Sequence, residues 1–205
     1  MATPFTTISV EVEDGVMTIA LNRPDVLNSL NEQMSTELSA ALRSAERDAG
    51  IRCIVLTGTG RAFCAGHDLR GVYDLFAGNQ SRETDYGALL RQRYNPVINR
   101  LRTLEKPVIA AVNGVAAGGG LALALACDLR ICARGAFFKA AFAEIGLIPD
   151  MGATLTLPRN VGYARAAELF LMCEKLSAAD ACAWGLVNRV VDNADLEVTV
   201  SGIAH

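Results

Sequence analysis

Two short glycine-rich segments carry the strongest chemical signal in this chain: "AFCAGHDL" at residues 62–69 and "GVAAGGGL" at residues 114–121. Neither has the G-x-G-x-x-G spacing of a dinucleotide-binding turn or the lysine of a phosphate-binding P-loop. Glycines at the start of a helix can instead present backbone N–H groups to negative charge. Two such groups, one from each segment, would form an oxyanion hole for a carbonyl oxygen. The alternative is that the glycines only allow a helix to pack closely on a strand.

Three titratable side chains accompany these segments. His67 lies in the first one, and an imidazole with a pKa of about 6.5 beside an oxyanion hole could act as a general acid. Asp68 is expected to order its loop by accepting hydrogen bonds from local N–H groups. Asp150 follows Pro149 in "GLIPDMGAT", a place where aspartate is also common as a turn residue.

The elements around both glycine segments follow an α/β pattern. "ISVEVE" and "VMTIAL" on either side of Asp14-Gly15 predict an antiparallel hairpin. Apolar residues at helical spacing predict a helix from the N-cap Asn31 to Gly50. "IRCIVLTG", "PVIAAVNG" and "LRICA" are typical of buried strands that alternate with helices. In such an α/β domain, ligands bind beyond the carboxyl ends of the strands.

The overall composition excludes several function classes. Nineteen basic and twenty-two acidic residues give a net charge of −3, so the chain has no basic footprint for nucleic acid or an anionic membrane. Six scattered cysteines without a CxxC pair, and only two histidines, argue against a zinc or other metal site. Because no secretory signal is evident, we expect a reduced cytoplasmic location.

The uncharged stretch "VIAAVNGVAAGGGLALALAC" at residues 108–127 is long enough to be a candidate membrane span. More than half of it is alanine and glycine, and Asn113 is polar. Three consecutive glycines weaken a continuous helix by roughly 1 kcal/mol each relative to alanine. The stretch is therefore predicted to be a buried strand, a turn and a core helix.

Four ordered motifs resemble the crotonase superfamily, the enoyl-CoA hydratase/isomerase family, from about residue 8 to 197. They are "GRAFCAGHDL", "PVIAAVNGVAAGGGLALALACDLRI", "FFKAAFAEIGLIPDMGATLTLPRNVG" and "KLSAADACAWGLVNRVV". The resemblance implies a spiral of ββα turns, acyl-CoA substrates and no cofactor beyond the coenzyme A that the substrate carries. It also implies that the backbone N–H groups of His67 and Gly119 hold the thioester oxygen as the substrate becomes an enolate. The resemblance requires only the backbone of His67, so its side chain is expected to have a lesser role, in shaping the acyl pocket.

The residues expected for hydration are absent. Hydratases of this family carry two glutamates, and the matching positions here are Ala122 and Phe142, neither of which can transfer a proton. Glu144 lies two residues beyond the second position.

Asp150 matches an acidic residue that works in other members of the family. The motifs are closest to those of the phenylacetate-pathway ring-opening isomerases, and Δ3,Δ2-enoyl-CoA isomerases and 4-chlorobenzoyl-CoA dehalogenases share the position. One carboxylate suffices for a 1,3 proton shift. We therefore expect an enoyl-CoA isomerase with Asp150 as its single acid/base. The alternatives are a hydratase that uses other groups and a non-catalytic acyl-CoA-binding protein.

Further positions are assigned to the substrate or its coenzyme A by the same resemblance. Arg23 and Leu27 match a loop that lies along coenzyme A in relatives, although an ordinary surface loop is an equal alternative. The remaining candidates surround the two glycine segments and the acyl pocket: Ala65, Gly66, Asp68, Leu69, Gly118 and Phe142.

The chain ends soon after "GLVNRVV", where relatives continue into C-terminal helices that cover the acyl end and build a trimer. We expect a core domain over residues 1–197, a short tail over 198–205, and a fold that lacks most of the C-terminal helical region. The resemblance implies a homo-oligomer, either a trimer or a dimer of trimers. The acyl group is expected to be selected by the segment near 71–98 and by the C-terminal region.

Overall fold

The computed structural model describes residues 5–70 and 86–205. The strands of these residues are Ile8–Glu13 (β1), Val16–Leu21 (β2), Cys53–Gly58 (β3), Ala62–Cys64 (β4), Val108–Val112 (β5), Val115–Ala117 (β6), Leu129–Ala133 (β7), Phe137–Lys139 (β8), Leu176–Ser177 (β9) and Arg189–Val191 (β10). The helices are Glu32–Arg47 (α1), Tyr86–Leu89 (α2), Asn95–Thr103 (α3), Gly119–Ala126 (α4), Ala153–Val161 (α5), Tyr163–Met172 (α6), Ala178–Ala183 (α7) and Leu196–Ala204 (α8).

The predicted hairpin and first helix are both confirmed. Strands β1 and β2 pair antiparallel, with Glu13 opposite Val16 across the two-residue turn. Helix α1 begins after Asn31, whose side chain accepts the N–H of Met34 at 2.9 Å. This bond satisfies one of the backbone donors that the first helical turn leaves free.

The strands form two sheets, and the chain passes repeatedly from one to the other. The larger sheet has the order β1-β2-β3-β5-β7-β10 and is parallel except for the β1–β2 hairpin. The smaller sheet has the order β4-β6-β8-β9. In the pairs β3/β4, β5/β6 and β7/β8, the first strand joins the larger sheet and the second joins the smaller one. This repetition is the expected ββα spiral.

The smaller sheet brings the chemically interesting loops together. Strands β4, β6 and β8 are parallel neighbours, so their carboxyl ends lie at the same edge. The segment of His67 leaves β4 at this edge, the three glycines 118–120 follow β6, and the segment that leads to Asp150 follows β8.

Two apolar clusters cover the two faces of the larger sheet. The main cluster takes Ile54 and Leu56 of β3 together with residues of α1, α3 and α4. The second contains Val55 and Ile109 on the opposite face, against Leu196 and Val200 of α8. Residues 198–205, which we expected to be a short tail, thus form most of a packed helix. The apolar spacing of Leu196, Val200 and Ile203 explains the difference, because it gives α8 a face that the sheet can bury.

The uncharged stretch 108–127 begins with the buried strand β5 and ends in the core helix α4, as predicted, and it also contains the short strand β6, which was not predicted. Helix α4 has only eight residues, and all of them are buried. No helix in the described part of the chain is both long and apolar enough to cross a membrane.

The helical segment that leads to α3 is irregular. Between α2 and α3, residues Leu90–Tyr94 form a π-helical turn in which the N–H of Asn95 bonds to the carbonyl of Leu90. Pro96 stands in the first turn of α3, where its missing N–H costs no hydrogen bond. The irregular turn therefore precedes the proline. Part of the segment 71–98, which was expected to shape the acyl pocket, lies outside the described residues.

Candidate active site

The two glycine segments meet at the carboxyl edge of the smaller sheet. A Cβ atom on Gly66 would stand 2.9 Å from the carbonyl oxygen of Ala117 and 3.3 Å from the nitrogen of Gly119. Gly66 also has a φ of +101°, in the region that side chains disfavour. The close approach and the backbone conformation both require glycine here.

The backbone N–H groups of His67 and Gly119 are available for a ligand. Leu30 bonds to the residues on either side of His67: its N–H donates to Gly66 at 2.7 Å and its carbonyl accepts from Asp68 at 2.9 Å. The His67 N–H therefore points away from Leu30, and Gly119 is the first residue of α4, whose initial N–H groups have no partner within the helix. Within residues 5–70 and 86–205, neither N–H donates to a protein acceptor.

The loop that holds His67 is fastened by the segment 23–30. The carbonyl of Leu27 accepts the N–H of Ala65 at 3.0 Å. The guanidinium of Arg23 donates to the carboxylate of Asp68 at 2.8 Å and to the carbonyl of Ser29 at 2.6 Å. The structure thus brings together the four sequence-predicted residues Arg23, Leu27, Ala65 and Asp68.

Asp68 forms ion pairs with two arginines, Arg23 and Arg70. Its carboxylate also accepts from the side chain and the N–H of Arg70. Hydrogen bonds from Arg70 and Arg23 outweigh the effect of burial and hold the pKa of Asp68 well below its usual range. This carboxylate therefore stays ionised and orders its loop, as the sequence indicated. Leu69, which follows it, is half-buried.

Asp150 is a buried carboxylate with one oxygen free. Its side chain is 4% exposed. The hydroxyl of Tyr86 donates to Oδ2 at 3.0 Å, whereas Oδ1 has no hydrogen-bond partner among the described residues. Burial raises the pKa of Asp150 to about 6, against the opposing effect of the Tyr86 hydrogen bond. The group can therefore gain and lose a proton close to neutral pH, as an acid/base requires.

The imidazole of His67 lies beside this carboxylate. Its Nδ1 is 2.9 Å from the Tyr86 hydroxyl and 3.6 Å from Oδ2 of Asp150, and its ring lies against Tyr94 with 4.3 Å between the ring centres. Burial lowers the pKa of His67 to about 4. The side chain is therefore neutral at pH 7, and its contact with Asp150 is not an ion pair.

Sequence reasoning missed three residues of this site: Tyr86, Tyr94 and Met151. The two tyrosines are eight residues apart, a spacing that puts both on one side of a helical segment and could have indicated their joint role. Met151 is buried with a φ of +49°, and its sulfur lies 3.0 Å from the position of a Cβ atom on Gly119. Nothing in its local sequence signals this contact.

The remaining candidates have structural surroundings. Phe142 is buried in the main apolar cluster, as is Ala122. Gly118 has a φ of +50° and donates its N–H to the carbonyl of Lys139 at 2.9 Å. Glu144 is exposed and pairs with Lys139 at 2.7 Å, so it does not replace the absent glutamates.

Known proteins resemble this chain over most of its length. A profile described as enoyl-CoA hydratase/isomerase matches residues 11–204. The chain is 49% identical over 194 residues to the 1,2-epoxyphenylacetyl-CoA isomerase of Escherichia coli. This match covers 95% of this chain and 73% of that protein. It is 46% identical to a probable enoyl-CoA hydratase of Rhodobacter capsulatus, over 94% of this chain and 72% of the relative.

Solved structures agree with the sequence comparisons. The enoyl-CoA hydratase/isomerase structure from Mycobacterium abscessus matches with a TM-score of 0.90 and 36% identity, over 96% of this chain and 75% of that one. A monofunctional enoyl-CoA isomerase from M. smegmatis matches with a TM-score of 0.79 at 36% identity, over 97% and 83% of the two chains. The fold, the motifs and these likenesses together show that the chain belongs to the enoyl-CoA hydratase/isomerase family of the crotonase superfamily.

Proposed function

We propose that the chain is an isomerase of unsaturated acyl-CoA thioesters with Asp150 as its acid/base. The observation that carries the proposal is the buried carboxylate of Asp150, whose free Oδ1 belongs to the same site as the two unbonded N–H groups. The N–H groups of His67 and Gly119 would bind the thioester oxygen. Each such donor contributes roughly 2.7 to 4 kcal/mol of transition-state stabilisation.

The reaction follows from these positions. The carboxylate of Asp150 removes a proton from a carbon activated by the thioester, and the electron pair of the broken C–H bond moves into the enolate. The enolate oxygen gains negative charge between the two N–H groups, which are already oriented. Asp150 then returns the proton to a different carbon, which moves the double bond without any cofactor beyond the coenzyme A of the substrate.

The similarity to a 1,2-epoxyphenylacetyl-CoA isomerase supports isomerisation and adds a candidate substrate. The absence of both hydratase glutamates supports it further, since Ala122 and Phe142 cannot activate water. Arg23 and Leu27, which flank the same short helical turn, are proposed to contact coenzyme A. Gly66, Gly118 and Leu69 are proposed to line the path of the thioester.

The test is a panel of CoA thioesters that includes a 3-enoyl-CoA and 1,2-epoxyphenylacetyl-CoA. We expect wild type to exchange α-protons in heavy water and to isomerise at least one of them. Asp150→Asn should lower both rates by at least about 100-fold, the low end of acid/base contributions. Glu144→Gln, which removes an exposed carboxylate from the segment that also leads to Asp150, is the matched control and should leave both rates unchanged.

Other outcomes would identify a different function. Solvent oxygen in the product would indicate a hydratase that uses non-standard groups. The R. capsulatus relative is named a probable enoyl-CoA hydratase, which is the reason to test for this activity. Thermal stabilisation by a thioester without any exchange would indicate a non-catalytic acyl-CoA-binding protein. We also propose that this chain forms a trimer or a dimer of trimers. Light scattering on the same preparation measures the mass of the assembly and tests this proposal.

A further inference from the structure

Two of the buried polar atoms without a partner belong to neighbouring side chains of the site. Within residues 5–70 and 86–205, the atoms in this class are Nε2 of His67, Oδ1 of Asp150 and Oδ1 of Asn113. The side chains of His67 and Asp150 are 7% and 4% exposed. A buried polar atom without a hydrogen bond destabilises the folded state, so an arrangement that keeps two of them together calls for an explanation.

The hydroxyl of Tyr86 joins the other ends of these two groups. It lies 2.9 Å from Nδ1 of His67 and 3.0 Å from Oδ2 of Asp150. A hydroxyl has a single hydrogen, so it must donate to one neighbour and accept from the other. When Asp150 is ionised, Tyr86 donates to it and Nδ1–H of His67 donates to Tyr86. When Oδ2 carries a proton, both bonds can reverse, and the proton of His67 then stands on Nε2.

We propose that Tyr86 relays protons between His67 and Asp150, so that Nε2 of His67 is a second atom at which the site exchanges a proton with its substrate. The position of Nε2 supports this role. It lies 3.2 Å from where a Cβ atom on Gly119 would be, beside the N–H assigned to the thioester oxygen. Tyr86 is the positioning residue, and Asp150 stores the proton.

The step is balanced. Nε2 forms an N–H bond with the substrate proton, while the electrons of the broken C–H bond remain in the enolate. The Nδ1 proton passes to the oxygen of Tyr86, and the Tyr86 proton passes to Oδ2 of Asp150. Tyr86 ends neutral, His67 ends as the other neutral tautomer, and Asp150 ends as the acid. The reverse sequence returns the proton.

The protonation states of the groups around the relay are compatible with it. Burial holds the pKa of His67 at about 4 and that of Asp150 at about 6, so the carboxylate stores the proton while the imidazole changes only its tautomer. Among the described residues, the other titratable group in contact with this trio is Tyr94, whose pKa is raised by burial to about 12. Arg93, Glu32 and Asp68 act on Tyr94 as nearby charges. Tyr94 therefore stays neutral over the range in which Asp150 titrates.

The direct test is nitrogen-15 NMR of histidine-labelled protein between about pH 5 and pH 8. The chain has only two histidines, and the exposed His205 serves as an internal reference. In wild type we expect His67 to carry its proton on Nδ1 above the pKa of Asp150 and to shift toward the Nε2–H tautomer below it, without becoming charged. A tautomer that stays constant while Asp150 titrates would overturn the relay.

Two variants make the assignment specific. Tyr86→Phe removes the bridging hydroxyl and should abolish the coupling between the Asp150 titration and the His67 tautomer. Tyr94→Phe removes a hydroxyl that bonds to the carbonyl of Leu30 at 3.4 Å and keeps the ring against His67, so the coupling should persist. Equal behaviour of the two variants would contradict the role of Tyr86. If Tyr86→Phe does not fold, the wild-type titration still decides the question.

A kinetic readout connects the relay to the proposed function, on which its use in catalysis rests. Tyr86→Phe should slow α-proton exchange by about 10-fold or more and move the acid limb of the pH profile to higher pH, because the lost hydrogen bond favoured ionised Asp150. The exposed Tyr163→Phe should change neither. If wild type exchanges no α-proton, the proposed function fails while the NMR titration remains decisive for the relay. If Asp150→Asn is inactive but Tyr86→Phe matches wild type, only the relay fails.

Discussion

Gly66 packs against the carbonyl oxygen of Ala117 so closely that no side chain fits between them. A Cβ atom on Gly66 would lie 2.9 Å from this oxygen, and the φ of Gly66 is +101°. This contact sets the distance between the segment of His67 and the segment of Gly119. The spacing of the two unbonded N–H groups therefore depends on residue 66 having no side chain.

We expect Gly66→Ala to slow α-proton exchange by about 100-fold, because the added methyl group must push the two segments apart. A misplacement of about 1 Å can cost about 100-fold in rate. Activity with a CoA thioester and thermal unfolding should be measured on the same preparation.

The matched control is Gly146→Ala. Gly146 also has a positive φ, +72°, but a Cβ atom there would meet nothing within 4 Å. It should lose about 1 kcal/mol of stability from the left-handed conformation and keep its activity. Equal activity in the two variants would show that the contact between Gly66 and Ala117 is not what positions the site.

The sequence predicted the strands and loops that form this site better than it predicted the side-chain contacts within it. The hairpin, the buried strands and the two glycine segments follow local patterns, and the motif around Asp150 placed that residue in the site. Tyr86 was missed because its role depends on how the segment before α3 lies across the sheet edge. Met151 was missed for the same reason, since its contact with Gly119 joins distant parts of the chain. The burial that shifts the pKa values of His67 and Asp150 also arises only after folding.

The cost of burying Asp150 should appear as pH-dependent stability. Its pKa rises from 3.8 unfolded to about 6 folded, so the unfolded state ionises first as the pH rises. The free energy of unfolding of wild type should therefore fall as the pH rises from about 4 to about 6 and stay lower above that. A difference of one pKa unit corresponds to about 1.4 kcal/mol, so the total loss is up to about 3 kcal/mol. Asp150→Asn has no carboxyl to ionise. It should therefore be more stable than wild type at pH 8 and nearly equal at pH 4, as measured by urea unfolding.

Two features separate this effect from general changes with pH. Burial lowers the pKa of His67 to about 4, so the protein also loses stability as the pH falls from 6.5 toward 4. This loss occurs in wild type and in Asp150→Asn alike, so it cancels in the comparison. Glu144→Gln, at an exposed carboxylate, should follow wild type at both pH values. A stability difference for Asp150→Asn that is the same at pH 4 and pH 8 would contradict the prediction.

Arg130 should be a principal structural residue outside the site. Its guanidinium is buried and donates to the carbonyls of Leu186 and Cys127 at 2.7 Å and to Asn160 at 3.1 Å. It thus ties the end of α4 and helix α5 to the segment before β10. Arg130→Met would leave at least two buried acceptors unbonded, each worth about 1 to 3 kcal/mol. We expect a loss of about 3 kcal/mol, or roughly 10 °C in Tm for a chain of this size.

Arg134→Met provides the comparison four residues further along the chain. Arg134 pairs with Asp192 at 2.7 Å, but both side chains are mostly exposed. Exposed ion pairs contribute about 0 to 1 kcal/mol, so the melting temperature should change by no more than a few degrees. If the melting temperature falls by a similar amount in Arg130→Met and Arg134→Met, the hydrogen bonds of Arg130 to buried carbonyls are not the reason for its contribution to stability.

Restoring one hydratase glutamate should not restore hydration. Ala122 is 1% exposed and packs within the main apolar cluster, and Phe142 fills the second position. In Ala122→Glu, the larger side chain overpacks the core by about 1 to 3 kcal/mol, and an ionised carboxylate adds a burial cost. Ala122→Gln has nearly the same size without the charge, so Glu should be the less stable of the two at pH 8 and similar at pH 4. We expect no crotonyl-CoA hydration by wild type or by either variant, because water lacks its second acid/base partner in all three. Hydration by Ala122→Glu alone would contradict the importance of Phe142.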